Sequence, residues 1–275
     1  MDKQLLVMML SSGTFPTGAF SQSRGLETYV ENKIVNNAEG LKGFMDAYLK
    51  HVLCCLEGPY LVAAYECVKG LSSTDAGDEV VDLIALDKKT IDTIDELSLN
   101  NENQNTVPLD NKAIGLISTD NRIADLTELN SELVAMKTTK ESREGICKSG
   151  NAFMRVASGI TDDRFISEFY EKFKNSGIAY PIAYGLVCSR LDIDLKSSLR
   201  GFFFSELNGI VQSGLKLIPL GNIESQKVLF DSIGDIEEAV NKTQGKTLDD
   251  INTFNPGFDI ASMNHEYLKT RLYIS

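Results

Sequence analysis

Residues 41–56, LKGFMDAYLKHVLCCL, repeat apolar side chains with the period of an α-helix. The spacing i, i+3, i+4, i+7, i+8 places these side chains on one face of the helix. The apolar positions are Leu41, Phe44, Met45, Tyr48, Leu49, Val52, Leu53 and Leu56. Gly58-Pro59 follows, and because proline lacks an amide hydrogen and clashes with the preceding turn, we expect the helix to be interrupted there.

Helical signals recur along most of the remaining chain. Thr161 is a candidate N-cap for an aromatic-rich helix, and Asp194 for a long apolar one. Pro181 fits the first turn of a helix that ends near Arg190, and residues 224–240 favour a further helix. No segment alternates as a strand would. The sequence therefore predicts one all-α domain over residues 1–275, a helical bundle of roughly 8–10 helices.

The composition is that of a globular protein, with 275 residues of which 43% are hydrophobic. A net charge of −12 argues against nucleic-acid binding, which needs clustered Lys and Arg. The five cysteines are odd in number and form no CxxC, which favours a reducing cytoplasm over a disulfide framework. The apolar runs are too short or too interrupted for a signal peptide or membrane span, so we expect a cytoplasmic protein without a membrane partner.

Residues 72–120 differ from the rest of the chain. They contain eleven Asp and Glu against three Lys, a net charge of −8, and are rich in Asn around residues 100–105. Their apolar periodicity is poor. We predict a flexible acidic insertion, with one short helix near residues 80–86 and a charge that serves solvation.

The motifs of catalysis and metal binding are incomplete in this chain. His265-Glu266 resembles half of the zinc motif HExxH, but Lys269 stands where the second histidine is required. Residues 245–247, Gly-Lys-Thr, resemble the end of a phosphate-binding loop, but Val240 stands where that loop needs glycine. We therefore predict no catalytic residue, no metal site and no cofactor.

Three separate segments have a chemistry that exceeds what a helical core requires. The first contains Pro16, Gly18, Ser21, Ser23, Gly25 and Glu27. The second contains Lys216, Pro219 and Gly221. The third contains Asp259, Met263, His265, Glu266, Arg271, Leu272 and Tyr273. Taken singly, they are typical of a tight helix entry, a helix end with a favourable cation, and a frayed terminus.

In this order the three segments resemble the signatures of the urease accessory protein UreF family. The resemblance extends over nearly the whole chain except residues 72–120. Asn222 stands where the family commonly has glutamine, and Thr270 and Tyr273 where it has serine and phenylalanine. Each replacement in the tail keeps the hydroxyl or aromatic character.

The resemblance implies an all-α homodimer that works as a non-catalytic scaffold. It implies a complex in which the chain bridges UreD (also called UreH) and the GTPase UreG, and couples GTP hydrolysis to nickel insertion into the urease apoprotein. Residues 254–275, hereafter the tail, are then a docking element, and we expect residues 259–275 to be mobile or lightly docked in the free protein. The predicted partner contacts are Lys216, Asp259, Met263, His265, Glu266, Arg271, Leu272 and Tyr273, and the other residues of the three segments are structural.

Two alternatives remain open from the sequence. One is a cytosolic helical enzyme whose site has no familiar motif. The scarcity of histidine counts against this alternative. The other is a helical adaptor for a different GTPase or metal pathway. Urease subunits and UreG encoded in the same cell would favour the scaffold over this adaptor.

Overall fold

The computed structural model describes residues 1–18, 22–71, 111–251, 255–268 and 271–273, with the backbone alone for 111–120. The regular structure of these residues is helical without strands, which confirms the all-α prediction. The α-helices are α1 (Lys3–Leu10), α2 (Leu26–Glu31), α3 (Ala38–Tyr48), α4 (Gly58–Val68), α5 (Asn111–Met136), α6 (Lys140–Ile160), α7 (Arg164–Phe173), α8 (Tyr180–Arg190), α9 (Leu195–Leu217), α10 (Asn222–Asp231), α11 (Ile233–Thr243) and α12 (Pro256–Asn264). They exceed the predicted number partly because two helices, which meet at Ser232, replace the single helix expected over 224–240.

Helix α8 forms the centre of the bundle, because all its residues except Arg190 are buried. Helices α4, α6, α7 and α9 pack against it. The Tyr184 ring lies 5.4 Å from the ring of Phe153 on α6 and 5.5 Å from that of Phe202 on α9. Arg190 ends the helix in a buried ion pair with Asp163, at 2.7 Å. The core is therefore an aromatic cluster around one apolar helix.

One of the two predicted helix caps is present in the structure, and the other is not. Asp194 caps α9 as predicted, since its carboxylate accepts the Ser197 amide hydrogen at 2.9 Å. Thr161 does not cap α7. Its hydroxyl bonds back to Ala157 O at 2.8 Å and closes the preceding helix, and Asp163 caps α7 instead. Both residues suit an N-cap, so local sequence does not distinguish them.

The helical backbone that begins with α3 continues through Gly58-Pro59, so the predicted interruption is wrong. Residues Leu49–Glu57 widen to π-helical spacing, and α4 begins at Gly58 with Pro59 in its first turn. In π-helical spacing the missing amide would have paired with Cys54 O. The Lys246 ammonium donates to that oxygen at 3.0 Å instead. All eight apolar side chains of residues 41–56 are buried, as their periodicity predicts.

Gly58 is required by the close approach of α11 rather than by a turn. A Cβ there would come within 2.7 Å of Leu53 O and of the Thr243 methyl group. We expect Gly58→Ala to lower the free energy of unfolding by about 1–3 kcal/mol through overpacking. Gly43→Ala is the matched control, because the position is on α3 with open space around it, and it should stabilise by about 0.5–1 kcal/mol. Urea denaturation measures both, and effects of the same sign would contradict this close packing.

Part of the predicted acidic insertion can be compared with the structure. Residues 72–110 lie outside the described residues, but 111–120 are already helical and form the beginning of α5. The helix therefore starts before the predicted end of the insertion at residue 120. None of the helices in the described ranges combines the length and the apolarity that crossing a bilayer requires.

Candidate partner-docking site

The described part of the tail, residues 255–268 and 271–273, packs against α2 and α3, which differs from the expectation of a mobile or lightly docked segment. The Phe258 ring on α12 meets the rings of Phe44 and Tyr48 edge-on, with centroids 5.2 and 5.6 Å apart. The Thr28 hydroxyl donates to Ala261 O at 2.8 Å. The tail docks because one face of α12 supplies an aromatic ring and small side chains that fit this surface.

Glu27 on α2 holds the tail at two points. Its Oε2 lies 2.9 Å from His265 Nε2, and its Oε1 accepts the Leu272 amide hydrogen at 2.7 Å. Both side chains of the Glu27–His265 pair are buried, with residue exposures of 5% and 1%. His265 was predicted to contact a partner, but in this structure it is an internal anchor that a partner cannot reach.

The end of the tail reaches the second signature segment. Tyr273 is buried, and its ring centroid lies 5.7 Å from the Lys216 ammonium at the end of α9. Lys216 itself is exposed. Pro219 and Gly221 then lead the chain into α10, where Gly221 occupies the N-cap position. The fold thus joins three segments that lie about 190 and 40 residues apart in the sequence.

The first segment presents α2 to the tail. Gly25 begins α2 with a φ of +86° and no side-chain cap, a backbone conformation that glycine adopts without strain. The expected entry by side-chain capping is therefore not observed. Pro16 and Gly18 lie in the loop before α2, Ser23 is buried, and Ser21 lies outside the described residues.

The face of the tail that points away from the bundle carries several large exposed apolar side chains. Ile260, Met263 and Tyr267 follow the helical spacing i, i+3, i+7 and are 56%, 48% and 81% exposed. Together with Leu272, which is 70% exposed, they form the outer ridge of the tail. Glu266 and Arg271 flank it, and the Arg271 guanidinium donates to Glu266 O. Large exposed apolar groups in one place are typical of a protein-binding surface.

A polar cavity of about 100 Å³ lies beneath the tail. On one side its wall contains two buried ion pairs that sequence reasoning missed. The Arg24 guanidinium binds both carboxylate oxygens of Glu206 at 2.7 Å, and the Lys137 ammonium binds Glu57. The half-buried Asp259, predicted as a partner contact, lines the cavity from the tail.

Burial and neighbouring charges act against each other in this cavity. Burial, the largest single effect, would lower the pKa of Arg24, but attraction to Glu206 and its neighbours and the hydrogen bonds to Glu206 together outweigh burial and raise the pKa. Burial raises the pKa of Glu57, and Lys137 offsets only part of that effect. The guanidinium is therefore held charged, whereas Glu57 keeps its charge less readily than an exposed carboxyl group.

One sequence signal could have revealed this cavity. Glu206 shares a helix face with Phe202, Phe203 and Ile210, and a carboxylate in an apolar stripe is rarely buried without a partner. The identity of that partner, Arg24, could not be read from the pattern. Among the residues that the structure describes, no three His, Cys, Asp or Glu side chains cluster as metal ligands would.

Comparison with known proteins gives a consistent family. A profile of the UreF family matches residues 35–233. The chain is 27% identical to the urease accessory protein UreF of Sporosarcina pasteurii, over 91% of this chain and all of that protein. It is 26% identical to the corresponding proteins of Actinobacillus pleuropneumoniae, over 98% and 97% of the two chains, and of Lachnoclostridium phytofermentans, over the full length of both. Since the profile covers more than half of the chain and the relatives cover the remainder, this protein belongs to the UreF family.

Proposed function

We propose that this chain is a non-catalytic scaffold of urease maturation. In this role it bridges UreD (UreH) and the GTPase UreG, and couples GTP hydrolysis to nickel insertion into the urease apoprotein. Membership of the UreF family supports a place in urease maturation, because the relatives are named urease accessory proteins.

The observation that carries the proposal is the assembled tail. Its inner face is held by Glu27 and Thr28, and its outer ridge is left exposed. A docked segment presents its apolar groups in one fixed arrangement, so a partner does not have to order it on binding. We assign the outer ridge to UreD. The exposed cations Lys216 and Arg271 are further proposed contacts in this assembly.

We further propose that the protein works in the cytoplasm as a homodimer. All five cysteines are free thiols, which suits a reducing compartment. The net charge of −12 favours protein partners over nucleic acid.

Reconstitution tests this function directly. Apo-urease mixed with nickel, GTP, UreD, UreG and this chain should become active, and omitting the chain should return activity to background. The reason is that no direct UreD–UreG contact is then expected to replace the bridge. The chain alone should neither turn over GTP nor retain nickel after dialysis against a chelator. Equal activation without the chain, or failure to co-purify with both accessory proteins, would overturn the proposal.

A further inference from the structure

We propose that the tail is a strap that closes the polar cavity, and that Glu27 is the latch that holds this strap shut. The inference concerns the isolated chain. It therefore stands or falls independently of the scaffold function proposed above.

The tail forms one side of the cavity. Asn255, Phe258, Asp259 and Ser262 line it from the tail, and all other lining residues belong to the body of the bundle. A hydrogen bond between hydroxyl groups joins the tail to the bundle beside the cavity, since Ser262 Oγ lies 2.9 Å from Thr139 Oγ1. Lifting α12 would remove these four side chains together and open the ion pairs beneath to solvent.

The latch consists of hydrogen bonds, which water can replace when the strap lifts. Both carboxylate oxygens of Glu27 are bonded by the tail, to His265 and to the Leu272 amide. A buried carboxylate without such partners would be costly, but when the strap lifts, water can take both places. The polar groups of the latch are then hydrogen-bonded in both states. Opening breaks only the packing of the tail on α2 and α3, so it costs less free energy than unfolding the whole chain.

The outer ridge gives the strap a means of control. Two of its side chains, Ile260 and Met263, lie on α12, the same short helix whose inner face lines the cavity. A protein that binds the outer ridge therefore also binds the strap. It shifts the strap towards whichever state, closed or open, it binds more tightly.

A cysteine placed inside the cavity reports opening. Ser149 is suitable, because it lines the cavity, is 4% exposed, and accepts a hydrogen bond from the Gln22 amide at 2.8 Å. A cavity of about 100 Å³ has room for roughly three water molecules. N-ethylmaleimide is larger than that, so Ser149→Cys should be labelled slowly while the strap is in place and faster when it lifts. Trypsin cleaves after Lys148 and separates the reporter from native Cys147 for mass spectrometry.

In the full-length Ser149→Cys chain, Glu27→Ala should accelerate labelling of the reporter by about tenfold, because both latch bonds are lost. Amide hydrogen exchange of residues 255–268 should rise with it. Glu27→Gln keeps the size of the side chain and should give an intermediate rate, and it carries the test if the alanine variant folds poorly. Glu31→Ala is the matched control, since Glu31 is an exposed glutamate of the same helix, and it should change neither rate.

Native Cys188, which is fully buried on α8, serves as the internal control for global unfolding. Its labelling should stay slow in every variant. Unchanged exchange of the tail in both Glu27 variants would show that Glu27 is not the latch. Faster exchange of the tail with unchanged labelling of the reporter would show that the tail does not close the cavity. Either result overturns the inference, whether or not the chain binds UreD.

Discussion

Replacing Met263 and Tyr267 together by aspartate should abolish co-purification of this protein with UreD and leave its fold intact. Both side chains are exposed, so the free energy of unfolding should change by no more than about 0.5 kcal/mol per substitution. At an interface, each new carboxylate would be desolvated without a partner, which costs about 2–5 kcal/mol. Affinity should therefore fall by a factor of at least about 1,000 for the pair. Co-purification and thermal melting, run side by side, measure the two effects.

The matched control lies on α10, where Ile223 and Phe230 are also exposed apolar side chains, at 88% and 72%. Changing both to aspartate removes the same kind of surface from a different helix, and binding to UreD should persist. If the variant of the outer ridge binds UreD as well as the unchanged chain, the tail is not the docking surface. These substitutions are more informative than deleting the tail, because deletion also uncovers Glu27 and the aromatic rings that Phe258 covers.

Glu206→Ala should be among the most destabilising single substitutions in the chain, lowering the free energy of unfolding by about 3–5 kcal/mol. The change leaves the Arg24 guanidinium buried without its bidentate partner, and the two side chains are only 8% and 6% exposed. The guanidinium does not escape the cost by losing its proton, because the ordinary pKa of arginine lies so far above neutral pH that it stays charged. Urea denaturation at neutral pH measures the loss.

Helix α9 also provides the control for this prediction. Arg200 pairs with Glu237 through two contacts of the same kind, but these side chains are 44% and 40% exposed. Water screens that pair, so Glu237→Ala should cost less than about 1 kcal/mol. Similar losses for Glu206→Ala and Glu237→Ala would mean that the cavity is wetter than its geometry indicates.

The fold class and several helices followed from short-range patterns in the sequence. The apolar period of residues 41–56, the first-turn Pro181 and the cap Asp194 all predicted what the structure has. Each of these signals acts within one or two turns of a helix, and such signals need no knowledge of the rest of the chain. The interruption predicted at Gly58-Pro59 was wrong because a distant residue intervened. Lys246 satisfies a carbonyl beside Pro59, and the helix continues.

The candidate site, too, was predicted only in part from the sequence. Its sequence segments were recognisable singly, and their order indicated the UreF family. The contact between these segments could not be predicted. Glu27 and His265 are 238 positions apart, and no pattern near either residue indicates that it pairs with the other. Sequence alone also could not separate the exposed Met263 from the buried Tyr273, although both belong to one signature.

The sequence by itself determined that this chain is helical, that residues 41–56 bury one helical face, where α8 and α9 begin, and which family its signatures resemble. Periodicity and capping are properties of neighbouring residues, so they survive without a tertiary structure. Only the tertiary structure decided that the tail is docked, that Glu27 holds it, and that Arg24 and Glu206 share a cavity. Burying a charge is favourable only when a partner meets it in space. Whether two charged side chains come into contact depends on how the helices pack, and no single segment of the chain determines that packing.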